Sequence, residues 1–221
     1  MQVEWYGQSA FRLSAGGTTV FIEPFGDVSR LTSQGLDWGY PAIGDVEADL
    51  LLITHEHGDH NEAQAIGGEP AVLRSTAGTH ESPIGDVVAV ASEHDDAAGT
   101  QRGPNTIFVF SLDGVRVAHF GDFGQSALRD EQAAAIGQVD LLFVPVGDGP
   151  TIGAEQAAAI AERLGAKWIV PMHYRTERVS ILEPADSFLE RIPHVERIAS
   201  PRFDTDDLPG EKPLAVVPAA P

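Results

Sequence analysis

The chain has 221 residues, with 33 Asp and Glu against 14 Lys and Arg, a formal net charge of −19, no Cys, and 43% apolar residues. That is a globular composition long enough to bury one sizeable core, and it excludes disulfides and thiolate metal ligands. The acidity disfavours nucleic acid as a partner, since phosphate binding needs a basic patch.

No apolar run reaches the about eighteen residues of a membrane span. The opening Met1-Gln2-Val3-Glu4-Trp5 has no basic or apolar leader pattern. We therefore expect a cytoplasmic protein without a membrane partner.

Short strands are expected at Met1–Trp5 and Ala10–Leu13, and a β-branched third at Thr18–Ile22 after a Gly16-Gly17 turn. Phe25–Gly44 has no clear period and reads as a mobile loop near a site. Leu50–Thr54 is an apolar run with the look of a buried strand, followed by a short helix over Asn61–Ile66. Strands follow at Ala71–Leu73 and Asp86–Ser92. Asn105–Leu112 and Val115–Phe120 are joined by Asp113-Gly114, a type I′ hairpin signal. Leu128–Ile136 is helical and ends at Gly137. Leu141–Val146 is a buried strand, and the Ala-rich Ala154–Leu164 helix stops at Gly165. Trp168–Val170 is a strand and Pro184–Arg191 a last helix. Residues 1–210 are expected to form a single domain, with the Pro/Ala-rich 211–221 as a loose tail.

The chemistry concentrates in Thr54-His55-Glu56-His57-Gly58-Asp59-His60, an HxHxDH cluster directly after a buried strand. Imidazole and carboxylate are ligands for Zn²⁺ and related ions, and a strand end gives them rigid support. The spacing is not that of a helical HExxH protease, so Glu56 is not a general base of that kind. Metal sites gather ligands from several strand ends, and three more qualify: His94, Asp122 and His173. His119 lies within a strand and reads at least as well as a buried, hydrogen-bonded histidine. His80 and His194 read as surface residues. Asp95 would orient an imidazole or sit in a solvated turn. Asp49–Thr54 and Asp140–Pro145 echo each other, as two βα halves facing across a shared site would.

The order His55, His57, Asp59, His60, His94, Asp122, His173 resembles the motif series of the metallo-β-lactamase-fold hydrolases. The branch is similar to the ascorbate-6-phosphate lactonase group, with support from Gly7–Phe11, Ile22-Glu23-Pro24, Arg102–Thr106, Pro145-Val146-Gly147 and Pro171–Tyr174. The resemblance implies an α+β fold, a four-layer αβ/βα sandwich. It also implies two divalent ions, Zn first, with Mn, Fe or Ni as alternatives. His55, His57 and His94 would hold one ion. Asp59, His60 and His173 would hold the other, with Asp122 bridging. Asp59 and Asp122 are the expected catalytic carboxylates, and Arg102, Asn105 and Tyr174 the candidate substrate contacts. The implied activity is hydrolysis of a small ester, lactone, amide or phosphodiester by a metal-bridging hydroxide. An iron-dependent oxidoreductase on the same fold, a nuclease and a non-catalytic metal-binding protein are the rival readings. Two positions depart from the pattern: Gln8 where relatives often carry His, and Glu23 where they often carry Asp.

Overall fold

The computed structural model describes residues 1–28, 32–33 and 38–221. The stretches 29–31 and 34–37 of the expected mobile loop lie outside the described residues. Antiparallel strands β1 (Gln2–Gly7), β2 (Ala10–Ala15) and β3 (Thr18–Ile22) open the chain. The short strand β4 (Val46–Glu47) then leads into β5 (Leu50–Ile53), whose four residues are all buried and which lies parallel to β3. Burial on both faces is why Leu50–Ile53 reads as an unbroken apolar run. The helix expected over Asn61–Ile66 is only a 3₁₀ turn at Ala63–Ala65. Its first N–H groups are drawn elsewhere: Glu62 N–H donates to the Pro24 carbonyl, and the chain then enters β6 (Ile66–Gly67), paired with β4.

After β7 (Ala71–Arg74) come β8 (Gly78–Ser82), β9 (Gly85–Glu93), β10 (Pro104–Leu112) and β11 (Val115–His119). The β10–β11 turn is the two-residue hairpin expected: Asp113 and Gly114 have φ of 55° and 73°, and Leu112 pairs with Val115. The rest of the chain supplies α1 (Asp130–Ile136), β12 (Leu141–Pro145), α2 (Ala154–Arg163), β13 (Trp168–Met172), α3 (Asp186–Leu189), β14 (His194–Ile198), β15 (Arg202–Asp204) and β16 (Leu214–Pro218).

One sheet runs β15-β1-β2-β3-β5-β7 and the other β14-β16-β13-β12-β11-β10-β9-β8. They face each other through aromatic side chains: Phe11 of β2 lies 4.5 Å, centroid to centroid, from Phe143 of β12. The larger sheet carries helices, with α1 against β9, α2 against β12 and α3 against α2. Strands dominate up to β11, and helices alternate with strands of the larger sheet from α1 onward, so this is an α+β sandwich. No described helix is long and apolar enough to cross a membrane.

Two corrections concern the C-terminal third. The last helix spans only Asp186–Leu189 of the expected Pro184–Arg191. The loose tail expected at 211–221 instead contains β16, fully buried and inserted parallel between β13 and β14. The Pro/Ala count obscured a Leu214-Ala215-Val216-Val217 run, with Pro213 and Pro218 confined to its ends, where prolines do not interrupt a ladder. His80 and His194, read as surface residues, lie on β8 and β14, His194 exposed and His80 half-buried.

Ending the chain at Gly210 would strip β13 and β14 of this strand. The buried Leu and Val side chains alone account for roughly 5 kcal/mol. The melting temperature should fall by about 10 °C or more, as calorimetry of the truncated and full chains would show. An unchanged melting temperature would mean that β16 is dispensable.

Candidate metal centre

The site forms where four strands of the two sheets end side by side. β5 runs into the His55–His60 turn, β9 into His94, β11 through Phe120-Gly121 into Asp122, and β13 into His173, whose φ is 51°. Asp122 lies at the middle. Its Oδ2 is 3.1 Å from His94 Nε2, 3.4 Å from both His60 Nε2 and His173 Nε2, and 3.8 Å from His55 Nε2. Asp59 Oδ2 is 3.4 Å from His60 Nε2. His57 meets the group edge-on, its ring centroid 4.7 Å from His55 and 5.0 Å from His94. The structure thus brings all seven expected ligands together. Two trios, His55/His57/His94 and His60/Asp122/His173, each place ligand atoms within 4.8 Å of one another.

The donor set fits a divalent cation. Among the described residues, His55 Nε2, His60 Nε2 and Asp122 Oδ1 are buried without a hydrogen-bond partner, a cost that protein interiors rarely tolerate. Lone pairs of this kind, converging from imidazole and carboxylate, are what Zn²⁺ and related ions accept.

Glu23, fully buried just past β3 with φ of 58°, sets the orientation of this donor set. Its Oε1 accepts the Thr54 N–H at 2.6 Å, and its Oε2 accepts the Thr54 hydroxyl at 2.8 Å. His60 Nδ1 lies 2.8 Å from the same Oε2 and must donate to it. With the Thr54 proton directed at Glu23, His55 Nδ1, 2.9 Å away, donates to the Thr54 oxygen. Both imidazoles therefore carry their proton on Nδ1 and turn the Nε2 lone pair toward Asp122. A histidine's second nitrogen commonly sets the geometry of a metal ligand in this way. Glu23 reaches these groups fully, so the longer arm at this position keeps the role of a carboxylate. Burial pushes its carboxyl up, against the pull of His60 and Thr54. Burial pushes His55 down to about 2, helped by repulsion from His60. His60 moves the other way: burial lowers it, but the Asp122 and Asp59 carboxylates at its Nε2 outweigh burial and favour positive charge at that nitrogen, where a cation would replace the proton.

Glycines let the loops close. A Cβ at Gly121, whose φ is 54°, would overlap the Thr54 hydroxyl and the Asn105 amide oxygen. One at Gly147 would overlap the His173 carbonyl. A side chain at either place would push ligand loops apart.

Other expected residues take different places. Asn105 is not open to a substrate: it is buried, with Nδ2 donating to Ser92 Oγ and the Phe120 carbonyl and Oδ1 accepting the Asp122 N–H at 3.1 Å. It shapes the turn that presents Asp122. Tyr174 is also buried, stacked on Trp5 at 5.7 Å, because the chain turns back into the core after His173. Trp38 and Tyr40 pack on Phe25 and Trp5. Arg102 is exposed beside a cavity of about 280 Å³ that His94 also lines. Asp95 accepts the N–H groups of Ala97, Gly99, Gln101 and Arg102. Burial opposes the ionised form, but these four donors hold its carboxyl below the usual range. Glu56 is held by Arg74 and Asn61. Gln8 contributes its carbonyl, which accepts from Trp5 Nε1 at 3.0 Å and from the His173 N–H at 3.4 Å.

His119 is the buried, satisfied histidine. Its Nε2–H donates to the Ser9 carbonyl at 3.0 Å and its Nδ1 accepts the Gly121 N–H at 3.2 Å, linking the two sheets beside the site. Burial pushes it down to about 3. Sequence reading saw the ligands but missed Thr54 as a relay and the glycine contacts. The β-branched hydroxyl directly before His55 was the available signal.

Comparison with known proteins places the chain among metal-dependent hydrolases. A family model described as the beta-lactamase superfamily domain matches residues 2–173. The UPF0173 metal-dependent hydrolase of Geobacillus thermodenitrificans is 30% identical over 206 residues, covering 80% of this chain and 86% of its own. Its counterpart in Thermus thermophilus is 31% identical over 201 residues, covering 80% and 84%. A Thermotoga maritima structure, described as a Zn-dependent hydrolase of the metallo-beta-lactamase superfamily, superposes with a TM-score of 0.79 at 30% identity, covering 98% of both chains.

Two outcomes are expected. Glu23→Gln keeps the volume but loses acceptor capacity, so metal affinity should drop about 10–100-fold in competition with a chromophoric chelator; parental affinity would remove Glu23 from its orienting role. His119, lowered when folded and near 6.5 when unfolded, stabilises the fold above pH 6.5 and loses that contribution as pH falls toward about 3. The slope from this residue approaches about 1.4 kcal/mol per pH unit. In chelator-treated protein, His119→Gln should therefore show a shallower fall in melting temperature from pH 7 to pH 5 than the parent. Equal slopes would contradict a neutral, buried His119.

Proposed function

The chain belongs to the metallo-β-lactamase superfamily, with the UPF0173 metal-dependent hydrolases among its relatives, and on that premise we propose that it is a two-metal hydrolase of a small ester, lactone, amide or phosphodiester. The observation that carries this reading is the Asp122 carboxylate set among four imidazole Nε2 atoms at 3.1–3.8 Å, at the open end of the sheets. Zn²⁺ is the favoured ion, in keeping with the all nitrogen-and-oxygen donor set and with the description of the Thermotoga protein.

His55, His57 and His94 would hold one cation and Asp59, His60 and His173 the other, with Asp122 between them. Bound there, the cations supply a nucleophilic water near neutral pH and polarise the scissile carbonyl or phosphoryl oxygen. The chain's own groups do the positioning. Thr54 and Glu23 hold protons at Nδ1 of His55 and His60, which keeps both Nε2 lone pairs aimed inward. Asp122 Oδ1, which has no hydrogen-bond partner among the described residues, would be available to the cations or to the water they supply. Asp59 sits on the solvent side of His60 and adds negative charge that favours cation binding over protonation. Asn105 accepts the Asp122 N–H, which fixes the backbone that presents the carboxylate. The substrate is a small molecule. Lactones are the first class to screen, on the resemblance to the lactonase group read from the sequence alone.

Plasma mass spectrometry of protein purified without added metal or chelator tests this directly. About two Zn per chain would support the reading, with turnover of one of the four bond classes. Two Fe would favour the oxidoreductase reading, and no metal even after Zn²⁺ or Mn²⁺ loading would overturn both. Asp122→Ala should lose metal affinity by roughly a hundredfold or more and activity with it, while keeping the parental circular dichroism. Normal turnover in a metal-loaded variant would remove Asp122 from its proposed role.

A further inference from the structure

The chain is strongly acidic, and its basic side chains are almost all occupied. Carboxylates pair most of them, backbone carbonyls hold Arg116, Arg178 and Arg191, and Lys212 lies over the Trp168 ring. Among the described residues, Arg102 is the one Lys or Arg whose side chain has no such partner.

Its placement is fixed relative to the metal centre. The Arg102 N–H donates to Asp95 Oδ2 at 2.7 Å, and Asp95 directly follows His94. The His94 N–H in turn donates to the Gly103 carbonyl at 3.1 Å, and the Gly103 N–H to the Gly99 carbonyl at 3.0 Å. The loop between residues 95 and 103 is thus a closed ring of hydrogen bonds that clips Arg102 to His94. Both residues line one cavity of about 280 Å³, with Gln101, Thr151 and Gln156 as further polar walls. That volume is close to the about 300 Å³ at the lower end of ligand pockets.

We propose that Arg102 is the specificity-determining residue of the hydrolase proposed above, and that its substrate carries a carboxylate or phosphate group that Arg102 binds in this cavity. The inference rests on the hydrolase reading for the position of the scissile bond. A guanidinium offers an oxyanion two parallel donors, which fixes the substrate's orientation as well as its charge. Asp95, whose carboxylate is taken up by four backbone N–H groups, and Asp96 and Asp148 also line the cavity. They repel an extended polyanion and leave room for one localised charge at Arg102, with neutral or hydroxyl-bearing atoms elsewhere. The cavity therefore selects a small substrate with a single anionic group and rejects a nucleic acid strand.

The test uses metal-loaded protein, with metal content measured for each variant. Arg102→Gln should raise KM for mono-4-nitrophenyl succinate about tenfold or more relative to KM for neutral 4-nitrophenyl acetate, and Arg102→Lys should recover part of the difference. Equal changes for the two esters would overturn the inference and leave the hydrolase reading standing. Calorimetric titration with succinate and with inorganic phosphate gives a readout that needs no turnover. Weaker binding of succinate alone in Arg102→Gln identifies a carboxylate site, and weaker binding of phosphate alone a phosphate site. Parental affinity for both in the variant would overturn the proposal even if neither ester is hydrolysed.

Discussion

The metal centre depends on one buried carboxylate meeting the right number of donors. Glu23 has no access to water and must satisfy both oxygens from the protein. Thr54 supplies its N–H and its hydroxyl, and His60 supplies Nδ1–H. Satisfying Glu23 therefore pins the end of β5, folds the HxHxDH turn back over β3 and sets two imidazoles at once. Leaving such a group unpaired costs more than the bonds themselves contribute, so the turn has no cheap alternative conformation.

The two sheets supply the ligands unequally. The smaller sheet gives the contiguous cluster from a single strand end, and the larger gives His94, Asp122 and His173 from three. The parallel β12 and β13 end level, with Pro145 paired to Met172, and β11 ends two residues earlier, with His119 paired to Phe143, so Asp122, reached through Phe120-Gly121, and His173 emerge along one edge. Phe11 against Phe143 and His119 against the Ser9 carbonyl hold the sheets at the separation the ligands need. Packing forces set the distance across the site, and hydrogen bonds set the angle of each ring.

Much of this was legible in the sequence, and the reasons differ by element. Ligand residues were visible because coordination demands particular side chains at strand ends. β5 and β12 were visible because burial on both faces leaves only apolar residues. β8 and β14 were not, since Gly78-Thr79-His80-Glu81-Ser82 and His194–Ile198 are exposed edge strands with little apolar alternation. β16 was masked by flanking prolines. The helix expected at Asn61–Ile66 lost to two demands from distant parts of the chain, the Pro24 carbonyl and the β4–β6 pair. Asn105 and Tyr174 stood in the right neighbourhood, but their side chains turn inward, and sequence position alone does not distinguish a residue facing the cavity from one supporting its wall.

Strand β15 lies beside β1, with Val3 paired to Phe203, and β16 completes the surroundings of β13 from beyond residue 210. Each sheet thus takes an edge or interior strand from the last part of the chain. During synthesis the HxHxDH turn leaves the ribosome long before either sheet can close. Metal captured at that stage would meet only the first three histidines and Asp59, with His94, Asp122 and His173 still to come. Such pairing between distant segments makes folding slow, and it makes assembly of the full ligand set one of the last events in the life of the nascent chain.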